Sequence, residues 1–171
     1  MKRGRMKSRP LPPRKAPIRG VSKQERNRRL TSLGLSRHDD ADVQDEALAI
    51  VERFRAFTNK CPCVVTGWRS GEVHDWKGQP WKVFVQWAHV VATRGSWAGD
   101  FGVTVPLVDL LHREQEVDPD FFAKRGVDPV VLARVHAVRF FAAHPDDARW
   151  MLEHAVDGDV LALAREGLEA R

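Results

Sequence analysis

Cysteine is scarce: the 171-residue chain has two, Cys61 and Cys63, one residue apart. That spacing is too short for an unstrained mutual disulfide, and two are too few for a secreted framework, so both are expected as thiols. Long apolar runs are missing as well. No stretch approaches the roughly 20 consecutive apolar residues of a membrane-spanning helix, and the first residues lack the apolar centre of a secretory leader. A cytoplasmic protein with no membrane partner is expected. Nothing recurs at a fixed period and no heptad persists, which excludes a repeat array and a coiled coil. Acids are nearly absent from the first 38 positions.

Residues 1–38 hold thirteen Lys or Arg against one acid, Glu25, a charge of +12; the remainder has 15 bases and 22 acids, −7, giving the chain's +5. Lys2, Arg3, Arg5, Lys7, Arg9, Arg14, Lys15 and Arg19 are the candidate phosphate contacts, because each cation placed near a phosphate releases a condensed counterion. DNA is the expected partner and RNA the alternative; an anionic membrane surface, or a merely solubilising role, would draw on the same charge. Four prolines and isolated apolar residues leave 1–29 unable to offset the entropy of ordering. Residues 1–38 are therefore read as a disordered basic arm, and the length of the chain leaves room for one domain behind it.

From Asp40 to Asn59, Val43, Ala47, Ile50, Phe54 and Phe57 recur at spacings of three and four with acids in the first turn, the pattern of an amphipathic helix. Glycines then punctuate runs of Val, Phe and Trp, which predicts short strands. Residues Trp81–Val91 alternate as one strand, with Val83, Val85 and Trp87 on one face and Phe84, Gln86 and Ala88 on the other. A glycine-rich loop, a short strand and a helix over Leu107–Val117, opened by Pro106, follow. Beyond Asp118 the segments 118–126, 128–144, 145–156 and 158–171 read as short helices bounded by Asp, Pro and Gly.

Two histidines stand out by position. His89 lies near the end of the predicted strand and His112 on the helix behind Pro106; strand, loop and helix can bring them to one site, where an imidazole activates water and a second residue holds a divalent metal beside a phosphate. His74, in the loop before the strand, is a further candidate, while a strand-end cap and a surface helix position are the plain structural roles for His89 and His112. His136, His144 and His154 are expected at the surface or at helix ends.

The string AHVVATRGSWAGDFGVTVPLVDLLHREQE resembles the HNH, or ββα-metal, pattern of phage and bacterial nucleases, and is most similar to phage-encoded HNH-like recombination nucleases. These typically carry alanine-histidine, a glycine-containing loop with an acid, proline-leucine-cysteine, a histidine pair and a last histidine four residues on. The resemblance spans about residues 61–126. It implies that His89 is the general base, that Asp100 orients it, and that His112 and Glu116, which share a helix face, hold the metal. Mg²⁺ is the expected cation, with Mn²⁺ or Zn²⁺ as alternatives. Val108 stands where the family has cysteine, Leu111 where it has histidine or cysteine, and Ala88 where many members have a metal-binding aspartate. No structural zinc is expected, because Cys61 and Cys63 lack two partners; Trp68, Trp76, Trp81, Trp87 and Trp97 are expected to fill the core instead.

The expected architecture is thus α+β: a basic arm (1–38), a small ββα-metal, HNH-like domain with its leading helix (39–126) and a C-terminal helical extension (127–171). The implied function is metal-dependent hydrolysis of DNA phosphodiesters in phage or bacterial recombination or processing. A nuclease fold that has lost catalysis and binds nucleic acid or protein is the alternative.

Overall fold

The computed structural model describes residues 22–90 and 101–171. In chain order the elements are α1 (Lys23–Ser32), α2 (Ala41–Lys60), β1 (Val73–Trp76), β2 (Gln79–Lys82), β3 (Val85–His89), β4 (Thr104–Val108), α3 (Asp109–Val117), a 3₁₀ turn (Ala123–Arg125), α4 (Pro129–Ala143), α5 (Pro145–His154) and α6 (Gly158–Glu169). The fold is mixed α+β, with two separate two-stranded antiparallel sheets, β1–β2 and β3–β4. No helix among the described residues is long and apolar enough to cross a membrane.

Helix α2 forms where its apolar stripe predicts. The Asp40 side chain accepts the Asp42 N–H at 2.8 Å and so caps the first turn. Ala47, Ile50 and Phe54 are fully buried, with Val43 and Phe57 packed at the margin. Asp128 and Asp157 cap α4 and α6 in the same way, and Arg53 forks onto both carboxylate oxygens of Asp147 at 2.9 and 2.7 Å, tying α2 to α5.

Part of the stretch read as a disordered basic arm is folded: residues 23–32 form α1, and Leu30, Leu33 and Leu35 are buried. Arg26 pairs with Asp45 at 2.7 Å and Arg29 with Glu52, so acids of α2 neutralise part of the positive run. Helix α1 stops in a Schellman turn: Leu35 N–H donates to Leu30 O at 2.7 Å and Gly34 N–H to Thr31 O at 3.0 Å. Gly34 sits at φ +74°, and a Cβ there would lie 2.8 Å from Val156 Cβ. Residues 1–21, including all eight candidate phosphate contacts, lie outside the described residues.

The strand expected over Trp81–Val91 is two strands. Val83 N–H still donates to Glu72 O in the β1 hairpin, at 2.8 Å, but Phe84 O accepts from Asp109 N–H at 3.0 Å, so the chain changes partners between them. The predicted helix start at Pro106 is corrected too: Pro106 lies within β4, opposite Trp87. Its carbonyl accepts the Val64 N–H at 3.0 Å, so its backbone edge faces away from β3 and no ladder donor is missed. Segment 118–126 is mostly turn, ended by Gly126 at φ +65°.

Two apolar cores result. The larger joins α1, α2, α4, α5 and α6 around Phe54, Phe101, Phe140 and Phe141. Residues 127–171 supply half of the buried residues of this larger core, from Ala137 to Ala164. The smaller joins Cys63 and Val83 to β3, β4 and α3, with Phe121, Phe122 and Ala133 of α4 closing it. His136, expected at the surface, is buried at 5% exposure. Its Nε2 lies 2.9 Å from Thr58 Oγ1, whose hydroxyl donates to Phe54 O; the ring therefore carries its proton on Nε2 and donates to Thr58. His144 and His154 do sit at helix ends, each with Nδ1 on the carbonyl four residues back.

Candidate functional site

Strands β3 and β4 run antiparallel with His89 opposite Thr104, Trp87 opposite Pro106 and Gln86 opposite Leu107. Directly opposed residues share a sheet face, so His89, Trp87, Thr104 and Pro106 lie on one side and Gln86, Ala88, Val105 and Leu107 on the other. Helix α3 leaves β4 without a break and presents His112 to the strand side of the unit: Gln86 Nε2 lies 2.7 Å from His112 Nδ1. At the other nitrogen, His112 Nε2 is 3.6 Å from Glu116 Oε1, one turn on.

Burial pushes the His112 imidazole below its ordinary value; Glu116 opposes that and the charge of a protonated His89 adds to it. The ring is accordingly biased towards the neutral form, the form that can present a nitrogen lone pair. A protonated His89 acts on His112 as a charge at a distance, and by register it lies on the sheet face opposite Gln86, the residue that His112 touches. His89 is half-buried, with the edge of its ring against Trp87 at 4.9 Å, and Trp87 is itself covered by the Arg55 guanidinium at 4.3 Å.

His89, His112 and Glu116 thus belong to one strand–strand–helix unit, while the other candidates fall elsewhere. Asp100 and Trp97 lie outside the described residues. His74 belongs to the β1–β2 hairpin, stacked on Trp68 at 4.1 Å and bonded to Glu72 at 3.0 Å, which with the Arg69 N–H holds the Glu72 carboxyl below its usual range. Trp76 and Trp81 pack with Trp68 on the smaller core.

Cys63, Val108 and Leu111, at 2%, 0% and 5% exposure, are buried in the same apolar core. Ala88 is buried too, with no polar atom at the position where an acid would enter the site. Cys61 is half-buried and its thiol is pushed up by burial, with Arg139 and Arg69 opposing.

Among the described residues no group of three or more His, Cys, Asp or Glu side chains converges on one point. The two donors that do meet, His112 Nε2 and Glu116 Oε1, lie 3.6 Å apart on one helix face. Two donors, one of them an imidazole nitrogen, fall short of the four ligands of structural zinc and of the oxygen shell of Mg²⁺.

Gln86 escaped the sequence reading. Its signal is a lone amide inside the apolar run VFVQWAHVV, since a part-buried polar group in a strand calls for a partner. The identity of that partner, 26 residues away, depends on the return of α3 over the sheet.

No family model matches the chain, and no curated protein or solved structure resembles it significantly.

Proposed function

We propose that the chain is a metal-dependent endonuclease of HNH type, hydrolysing phosphodiesters in DNA during phage or bacterial recombination or processing, in the cytoplasm. The observation that carries the reading is the β3–β4–α3 unit, which holds His89 at the end of a strand and, on the helix that follows, His112 with Glu116 one turn beyond. In this reading His89 takes a proton from water beside the scissile phosphate. His112 Nε2 and Glu116 would hold the cation, Mg²⁺ before Mn²⁺ or Zn²⁺, which neutralises charge on the phosphate and leaving oxygen. Asp100 orients His89, and the eight cations of residues 1–21 supply affinity independent of sequence.

A second reading, a nucleic-acid-binding module on a fold that no longer cuts, is favoured by one feature, the buried Ala88 where an acidic ligand would stand. Plasmid nicking with Mg²⁺, Mn²⁺ or Zn²⁺ separates the two. Nicking that needs metal and falls by roughly 10²–10⁴-fold in both His89→Ala and His112→Ala establishes the first; DNA binding without nicking in all three proteins leaves the second. Either way affinity should fall steeply with salt. Removing residues 1–21, which spares α1, should flatten the slope of log affinity against log salt by up to about 0.9 for each phosphate that the arm no longer neutralises. An unchanged slope would take the arm out of DNA binding.

A further inference from the structure

The β1–β2 hairpin takes no part in the site described above, and among the described residues no other helix or strand packs closely on either of its strands. A two-stranded ribbon of this kind is marginal in water unless one face is covered. Alternation puts His74, Trp76 and Trp81 on a single face, with His74 directly opposite Trp81, and Val73, Asp75, Pro80 and Lys82 on the other. Trp68 joins the aromatic face from the preceding loop. Its ring lies parallel to that of His74, 4.1 Å away at 7°, and 6.4 Å from Trp81, which is itself 6.5 Å from Trp76. The three indoles lean on the smaller core, yet all four rings stay half-exposed.

The charge beside these rings is available to an anion. Arg69, Lys77 and Lys82 are exposed and make no salt bridge among the described residues. Both acids of the hairpin are engaged within it: Glu72 accepts the Arg69 N–H at 2.9 Å and lies 3.0 Å from His74 Nε2, and Asp75 accepts the Gly78 N–H at 2.8 Å. Lys77 occupies the turn at φ +55°, the one non-glycine residue with positive φ among the described residues. Asn or Gly takes that conformation at less cost, so the turn holds a lysine against local preference. Half-exposed rings beside unpaired cations suit a strand of unpaired nucleotides, because every base offers a flat face to stack and the phosphates between bases meet the cations. An anionic membrane draws on the same residue types, but insertion needs an apolar tip, and the tip here is Lys77, Gly78, Gln79 and Pro80.

We propose that the aromatic face of the β1–β2 hairpin is a stacking platform for the unpaired bases of single-stranded DNA. This rests on DNA as the partner in the reading above, and on none of the candidate catalytic or metal-holding residues.

The test compares, by fluorescence anisotropy with the full-length protein, binding to oligo(dT), to a duplex of the same length and to phosphatidylserine vesicles. Trp76→Ala should weaken oligo(dT) binding by roughly 5–150-fold, the loss of one stacked base, while duplex binding stays as in wild type. Trp76→Phe, which keeps a ring, should recover most of the affinity. If Trp76→Ala binds oligo(dT) like wild type, or loses oligo(dT) and duplex equally, the platform is refuted while DNA binding by the rest of the chain stands. If the wild type binds neither DNA probe, both fall. A loss confined to vesicles makes the hairpin a membrane contact and refutes the platform. Should Trp76→Ala fail to fold, photocrosslinking of the wild type to oligo(dT) carrying 4-thiothymidine decides: crosslinks within residues 68–82 support the proposal, and crosslinks confined to other segments overturn it.

Discussion

The helical half and the strand–strand–helix half of this protein treat polar groups in opposite ways. In the helical core His136, Thr58 and the Phe54 carbonyl close on one another, and the rings of Phe54 and Phe57 pack against the imidazole at 5.4 Å. On β4 and α3, Thr104 Oγ1, Asp109 Oδ1 and Gln115 Oε1 are buried without a hydrogen-bond partner, three of the four such atoms among the described residues. His89, His112 and Gln86 are half-buried, with Gln86 and His112 bonded to each other. Unsatisfied or half-satisfied polar groups cost stability, and a fold tolerates them where they serve something other than packing. The helical half is the anchor; the smaller half carries the candidate chemistry.

The sharpest way to break this division is to injure each half separately. Phe54→Ala, which empties the centre of the helical core, should lower unfolding free energy by about 4 kcal/mol in denaturant melts. A loss below about 1 kcal/mol would mean the ring is not the keystone its burial indicates.

A pH effect of nearly the same size should come from His136, whose pKa burial, with the nearby Arg139 adding, lowers to about 4. The folded ring stays neutral while the unfolded ring takes up its proton as pH drops through about 6.5, so stability is complete above that value and is lost progressively down to about 4, by about 3 kcal/mol. Burial lowers His112 as well, so it adds loss of the same sign. His136→Leu should remove most of the slope between pH 7 and 4.5; an unaltered slope would assign the acid sensitivity elsewhere. The smallest expected effect is the most diagnostic of the division: His89→Ala should change stability by less than about 1 kcal/mol, since the half-buried ring supports little of either core. A loss comparable to that of Phe54→Ala would make His89 structural.

Parts of this fold are legible because their cause is local. The stripe from Val43 to Phe57 and the aspartates at 40, 128 and 157 announce α2, α4 and α6 through spacing and capping alone. The order of strand, short strand and helix around His89 and His112 follows from the glycines, the alternation and the chain direction. Other parts are set by distant residues. Helix α1 depends on Leu30, Leu33 and Leu35 finding a core built mainly by segments after residue 40, and on acids of α2 quenching its arginines. Pro106 looks like a helix opener until Val64 takes its carbonyl. His136 looks like a surface histidine until Thr58, 78 residues earlier, meets it.

Alone, the sequence determined the uneven charge, the main amphipathic helices, the helix caps and the two histidines worth watching, because periodicity, capping and net charge act over a few residues. Only the tertiary structure decided that the C-terminal helices share a core with α2, that β3 parts from the hairpin before it, and that Gln86 meets His112. Those outcomes depend on which surfaces exclude water together, a property of residues far apart in the chain.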